Sequence, residues 1–232
     1  MADPLLTFHI LRAGRWTMSE PATQPYGAPD PKYSHLASEA QIERAAKHLR
    51  DHGFEVVVVA DGSAARHEVL TRIPSGSEVY DGTSRTLEET GIAKALAEHP
   101  GVVLLKPQLY AMDRKTQATE MRKLSETPAV IVGSVHAVTE DGQVLTGSAT
   151  GSQLGPYSHG AGRVIWVAGT QKIVPNLEEG LNRIEHYSLP LEDVRAVKAY
   201  GMHSSLNRIL IFRRENQPGR TTLILVKQNL GF

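Results

Sequence analysis

What most limits the fold of this chain is the exchange of short Val-rich apolar runs with amphipathic stretches between about residues 38 and 135. Phe54–Val59 and Ala129–Val135 are too short for helices and lack polar alternation, so they read as strands buried on both faces. Val102–Leu105 and Glu78–Tyr80 read as further strands. Between them, Ile42, Ala45, Ala46 and Leu49 recur at helical spacing behind a Ser38/Gln41 capping box, and Gly53 supplies the stop. Helices are predicted near Ala64–Arg72, from a Thr86/Glu89 capping pair to about Glu98, and over Asp113–Ser125. Buried strands alternating with helices predict an α/β fold: a three-layer α/β/α sandwich around a mostly parallel twisted sheet.

The rhythm changes after Val135. His136–Thr139 and Gln143–Thr146 flank Asp141-Gly142, a strong hairpin signal, so an antiparallel hairpin is inserted into the alternation. Gly147–Gly162 reads as loop, Arg163–Ala168 as a strand, and Asn176 with Glu179 as the cap of a helix running towards Tyr187. Pro190–Ala199 is a further helix, and Arg208–Phe212 and Thr222–Val226 are two closing strands. Residues 1–36 differ: five prolines and little periodicity predict a poorly ordered or surface-draped arm, followed by one domain over 37–232. Met18 would also serve as a start.

Composition removes several function classes. Lys plus Arg and Asp plus Glu are equal at 25 each, so no net field steers the chain to nucleic acid or an anionic membrane, and no RNP-like aromatic motif is present. With no cysteine, the chain holds no disulfide, thiol nucleophile or Cys-ligated iron–sulfur cluster. Histidine spacing matches no metal motif, and no cofactor is expected. No apolar run reaches the roughly 18–20 residues of a membrane helix, and Met1–Ile10 lacks a basic n-region, so the expected location is the cytoplasm.

In open α/β sheets, ligands bind beyond the carboxyl ends of the strands. Four segments follow strands in this way. In Asp81–Thr86, the small Gly82 and the hydroxyls of Thr83, Ser84 and Thr86 could hold an anion, although Thr86 equally reads as a helix cap. In Val135–Gly142, Glu140 is a candidate carboxylate nucleophile or base and His136 an acid/base group. Both also read as structural, Glu140 as a solvated turn residue and His136 as a satisfied histidine. Gly147–Gln153 includes Thr150 and Gly151 and admits close ligand approach, without the order of a P-loop. Lys172, just after a strand, could bind a carboxylate or phosphate, or lie with its stem on apolar neighbours.

The same segments carry a family resemblance. DGTSRTLEETGI (Asp81–Ile92), GSVHAVTEDGQVLTGSATGSQL (Gly133–Leu154), RVIWVAGTQKIVPNLEEGLNRI (Arg163–Ile184) and SLPLEDVRA (Ser188–Ala196) resemble, in order, motifs of the LUD (lactate-utilisation) family. The resemblance runs from about Ser38 to Phe232, with His136 standing where many relatives carry Asn or Asp. It implies a NagB/RpiA/CoA-transferase-like fold and a prokaryotic role in lactate oxidation to pyruvate, beside iron–sulfur partner subunits. By fold analogy with CoA transferases, Glu140 is the candidate reactive carboxylate.

Three functions follow as expectations. One is a cluster-free accessory or subunit of lactate oxidation that binds a small carboxylate, an anionic ligand held by donors from Lys172, Ser84 and the Gly147–Gly151 loop, with Glu140 as proton acceptor. Another is a free-standing transferase or isomerase acting on an acyl-CoA or phosphorylated metabolite through Glu140. A third is a ligand-binding protein without turnover. A homodimer is compatible with a domain of this size. Each function assumes that Ser84, Glu140, Gly151 and Lys172 converge on one rim of the sheet.

Overall fold

The computed structural model describes residues 25–232 and, ahead of them, two short antiparallel strands, β1 (Phe8–Ile10) and β2 (Trp16–Met18). Apart from those strands, the stretch read as an arm up to residue 24 lies outside the described residues, as does the question of a start at Met18. From Pro25 the chain runs over the surface and is tied down. Tyr26 donates to the Ser204 carbonyl at 2.8 Å, and the Asp30 N–H to the His186 carbonyl at 2.8 Å. A 3-10 turn over Pro31–Ser34, capped by Asp30, buries Tyr33.

The elements then follow as α1 (Glu39–Asp51), β3 (Glu55–Val59), α2 (Gly62–Thr71), β4 (Ser77–Asp81), α3 (Arg85–Glu89), α4 (Ile92–Glu98), β5 (Val102–Leu104), α5 (Leu105–Ala111) and α6 (Ala118–Glu126). After these come β6 (Val130–Gly133), β7 (Ala137–Thr139), β8 (Val144–Ser148), β9 (Arg163–Gly169), β10 (Ile173–Val174), α7 (Leu177–Arg183), α8 (Leu189–Tyr200), β11 (Arg208–Phe212) and β12 (Thr221–Val226). The main sheet has six parallel strands in the order β3-β12-β9-β6-β4-β5. β12 is buried along its whole length between β3 and β9, as its unbroken apolar run requires.

One face of the main sheet carries Ile131, Val164, Trp166, Leu223 and Leu225 against Ile42, Ala45, Ala46 and Leu49 of α1. The opposite face carries Val79, Val130, Val132, Ile165, Val167 and Ile224 against α2, α3 and α4. The sheet is thus the middle of three layers, as the alternation predicts. The hairpin, however, is not an insertion within this sheet. β7 and β8 form the centre of a second, mixed sheet, β10-β7-β8-β11, whose β10–β7 pair is parallel. Val138 and Val144 turn one face of it to the α1 side, while Ala137 and Leu145 pack against Ile184 and Tyr187 on the other. A strand pair buried on both faces needs cover on both, and α7 supplies the second.

Other boundaries move for local reasons. The helix read over 113–125 starts only at Ala118, because the Asp113 carboxylate accepts from the Lys115 N–H and the Thr116 hydroxyl and folds the stretch into a turn. The separate α5 over Leu105–Ala111 was not anticipated. α7 and α8 join through a π turn at Ile184–Ser188, which accommodates Pro190 in the first turn of α8.

Gly142 is required by the packing of the hairpin on α1. Its φ is +84°, and a Cβ there would lie 2.8 Å from the His48 carbonyl carbon. Gly76 shares the positive φ, at +80°, with open space around it. Gly76→Ala should therefore cost about 1 kcal/mol in urea unfolding, from backbone conformation alone. Gly142→Ala should cost at least about 1 kcal/mol more. Equal losses in the two variants would show that the hairpin does not press on α1.

Candidate functional site

All six parallel strands end on one rim, where β4, β6 and β9 lie side by side. After β9 the chain makes a 3-10 turn, Thr170–Lys172, which sends the Lys172 side chain inward. Lys172 is 1% exposed. Its Nζ donates to the Val135 carbonyl at 3.0 Å and contacts Ser134 Oγ at 3.0 Å and Thr86 Oγ1 at 3.1 Å. Ser134 Oγ and Thr86 Oγ1 are themselves 3.2 Å apart, so three polar groups from three elements close a triangle. Thr86 is buried and Ser134 half-buried, which makes Ser134 the face of the cluster nearest solvent.

Neutral oxygens surround the Lys172 amine, and no ion pair joins it to a carboxylate among the described residues. Burial holds its pKa well below the ordinary lysine value, and Arg183 pushes it the same way, while Glu89 opposes weakly. Arg183 is a second buried cation. Its Nη1 donates to the His136 carbonyl and, at 3.1 Å, to Ser188 Oγ, and its Cζ lies over the Tyr187 ring, 5.0 Å from the centroid. Its Nε and Nη2 have no hydrogen-bond partner among the described residues, and burial pushes its pKa down to about 10. Thus Lys172 and Arg183 grip consecutive carbonyls, Val135 and His136, on the segment linking β6 to β7.

His136 itself accepts the Gly147 N–H at Nδ1, 3.1 Å away, so its proton sits on Nε2. Burial, then Lys172 and Arg183, lower its pKa to about 3. It is a neutral, structural acceptor that ties the root of the Gly147–Gln153 loop to β7. Thr150 and Gly151 in that loop serve its own turn: the Gly151 N–H donates to Ser148 Oγ at 2.9 Å, and Thr150 bonds Ser152. A Cβ on Gly151 would touch Arg208 of β11.

The remaining sequence candidates divide. Thr86 does not cap α3. Ser84 does, accepting the Leu87 N–H, so the helix starts one residue ahead of Thr86 and the Thr86 hydroxyl is released to Leu230, Lys172 and Ser134. The Gly82 N–H continues the ladder to Val132, and Thr83 is exposed. Glu140 is drawn elsewhere: Arg44 Nη2 and Nε approach its carboxylate at 2.7 and 2.8 Å, and Gln41 donates at 2.9 Å. β7 separates Glu140 from Val135 by roughly 16 Å of extended chain. Of the four residues expected to meet, Lys172 lies in the cluster and Ser84 two residues from it, while Glu140 and Gly151 have contacts of their own.

The family model for the LUD domain matches residues 42–226, most of the chain and all three elements that build this cluster. The chain belongs to the LUD domain family. No match is found among curated proteins. Among solved structures, the crystal structure of a DUF162 family protein from Deinococcus radiodurans is similar, with 12% identity over 83% of this chain and 99% of that chain and a TM-score of 0.48.

Several groups of this LUD protein escaped sequence reasoning. Ser134 was hidden inside a strand reading that ran to Val135. Arg183 lies on the buried face of α7 with Gly180, but arginine is so often exposed that the spacing alone did not mark it. At the end of β4, buried Asp81 pairs with Lys106 at 2.9 Å, its Oδ1 has no hydrogen-bond partner among the described residues, and burial raises its pKa.

The lowered pKa values fix a direction for stability. Between about pH 3 and 6.5 the unfolded chain protonates the residue-136 imidazole and the folded chain does not, so stability falls as pH drops through that window. His136→Asn keeps an acceptor for the Gly147 N–H without a titrating ring. Urea unfolding from pH 7 to 4 should show a smaller loss in this variant than in the wild type. Identical slopes would mean that His136 is not held neutral in the folded protein.

Proposed function

We propose that this LUD protein binds a small organic carboxylate at the carboxyl ends of β4, β6 and β9, as a cluster-free component of lactate oxidation to pyruvate. The observation that carries this reading is the pair of buried basic side chains, Lys172 and Arg183, without a carboxylate partner among the described residues. Their charged forms are costly without a counter-charge, and a bound anion relieves that cost and draws a proton onto Lys172. The ligand meets the cluster at half-buried Ser134. Its carboxylate accepts the Ser134 hydroxyl, which the Lys172 ammonium polarises from behind at 3.0 Å. Charge-assisted contacts contribute about 1.5–3 kcal/mol each, which leaves moderate affinity after the costs of association.

The family membership supports a role in lactate utilisation, and the sheet order is compatible with the NagB/RpiA/CoA-transferase type of fold. A chain without cysteine has no thiolate for an iron–sulfur cluster, so electrons from the substrate pass to partner subunits that carry one. Such partners, and a cytoplasmic setting, belong to this proposal. No helix among the described residues is long and apolar enough to cross a membrane.

Thermal-shift titration tests the reading. L-Lactate or pyruvate at 100 times its dissociation constant should stabilise the wild type by about 2.7 kcal/mol, and neutral lactamide should not. Lys172→Met should fold, because it replaces a buried amine by a thioether of similar length, and should lose the response to both anions. An unchanged anion response in Lys172→Met would remove this site from the proposal.

A further inference from the structure

The hydrogen-bond accounting around Lys172 leads to a chemical step that anion binding does not require. The Val135 carbonyl only accepts, so one N–H of Lys172 is committed to it. The Thr86 hydroxyl hydrogen is directed to the Leu230 carbonyl at 3.2 Å, so Thr86 Oγ1 takes a second N–H from Lys172. The third position on Nζ faces Ser134 Oγ at 3.0 Å. There the two groups can exchange roles: an ammonium donates to Ser134, and a free amine accepts the Ser134 proton. The Ser134 hydroxyl also reaches Thr86 Oγ1 at 3.2 Å and the Val135 carbonyl at 3.4 Å, but the amine is its nearest partner; turned to Nζ, it satisfies the lone pair of a neutral Lys172.

We propose that Ser134 is a nucleophile activated by Lys172, and that the protein transfers the acyl group of a small ester or thioester. The proposal uses the site described above but does not depend on lactate being its ligand. Ser134 Oγ attacks the acyl carbon while its proton passes to the Lys172 lone pair. The new O–C bond forms, the bond from the acyl carbon to the alkoxide or thiolate breaks, and the leaving group takes the proton from Lys172. Water repeats the sequence on the acyl-serine: it gives a proton to Lys172, adds to the acyl carbon and expels Ser134 Oγ, which recovers the proton. The products are a carboxylic acid and an alcohol or thiol, with no redox partner.

Three features support this arrangement. Ser134 stands at the carboxyl end of β6, the rim where α/β sheets present ligands. It is half-buried in front of a fully buried amine, so substrate meets the hydroxyl and not the base. The charged and titratable groups around the amine are Arg183 from α7, Glu89 from α3 and His136 ahead of β7. Burial and Arg183 together favour the free amine that a general base requires. The acid product would be retained by the same lysine once protonated, which links this step to carboxylate binding.

The test is covalent labelling of the full chain with a small fluorophosphonate probe, read by intact mass and peptide mapping, alongside turnover of p-nitrophenyl acetate. The expected result is one adduct on Ser134. Labelling should rise with pH as Lys172 loses its proton, vanish in Ser134→Ala and fall at least tenfold in Lys172→Met, with circular dichroism unchanged. No adduct on the wild type, an adduct on another residue, or undiminished labelling of Lys172→Met would overturn it. The lactate thermal shift is independent: a positive shift without an adduct ends this inference and leaves carboxylate binding intact, and an adduct without a shift does the reverse.

Discussion

The arrangement depends on one buried amine held by neutral oxygens. Lys172 reaches from the turn after β9 to the end of β6 and the start of α3, and its hydrogen bonds to Val135, Ser134 and Thr86 join the three elements. A lysine so placed loses the hydration that normally keeps it charged. Among the described residues no carboxylate pairs with it, as Asp81 does with Lys106 and Glu215 with Arg220. That difference is what the proposed site rests on: Lys106 and Arg220 serve as internal ties, and Lys172 is the buried base left to a ligand or substrate in the proposal. It has a structural cost, since a hydrophobic side chain of similar volume is often at least as stable in such a position.

The second sheet gives the site its other wall. Because β10 follows the Lys172 turn directly and pairs with β7, the lysine, the β6–β7 segment and α7 are fixed relative to one another. Arg183 then grips the carbonyl next to the one held by Lys172, and His136 fastens the following loop to β7. Two basic side chains and a neutral imidazole therefore share a short backbone segment; burial lowers the pKa of all three, and Arg183 adds to the shift of Lys172 and of His136.

Much of the fold was legible in the sequence because buried parallel strands leave an unambiguous trace. The Val-rich runs at Phe54–Val59, Ala129–Val135 and Thr222–Val226 have few alternatives to a doubly covered sheet. Their order was not legible, since nothing local tells β12 to pair between β3 and β9, or the Asp141-Gly142 hairpin to seed a separate sheet. The rule that ligands lie beyond strand ends pointed to Lys172 and to Thr86, which the structure brings into one polar cluster. Glu140 misled because an acidic residue beside a turn looks free in sequence, while its partner Arg44 is supplied by a helix nearly a hundred residues earlier. Ser134 was missed for the opposite reason: a small polar residue at the end of an apolar run carries no periodic signal, and its importance comes only from Lys172 arriving across the sheet.

The central claim is that the Lys172 amine is buried without a counter-charge and is poised to gain or lose a proton as its site is filled. Heteronuclear NMR titration of the side-chain Cε and Nζ signals, assigned by comparison with Lys172→Met, tests this directly. The account predicts a midpoint well below 10.5 in the free protein and an upward shift when pyruvate is added. A Lys172 that titrates like a solvated lysine, or whose midpoint ignores the anion, would contradict it.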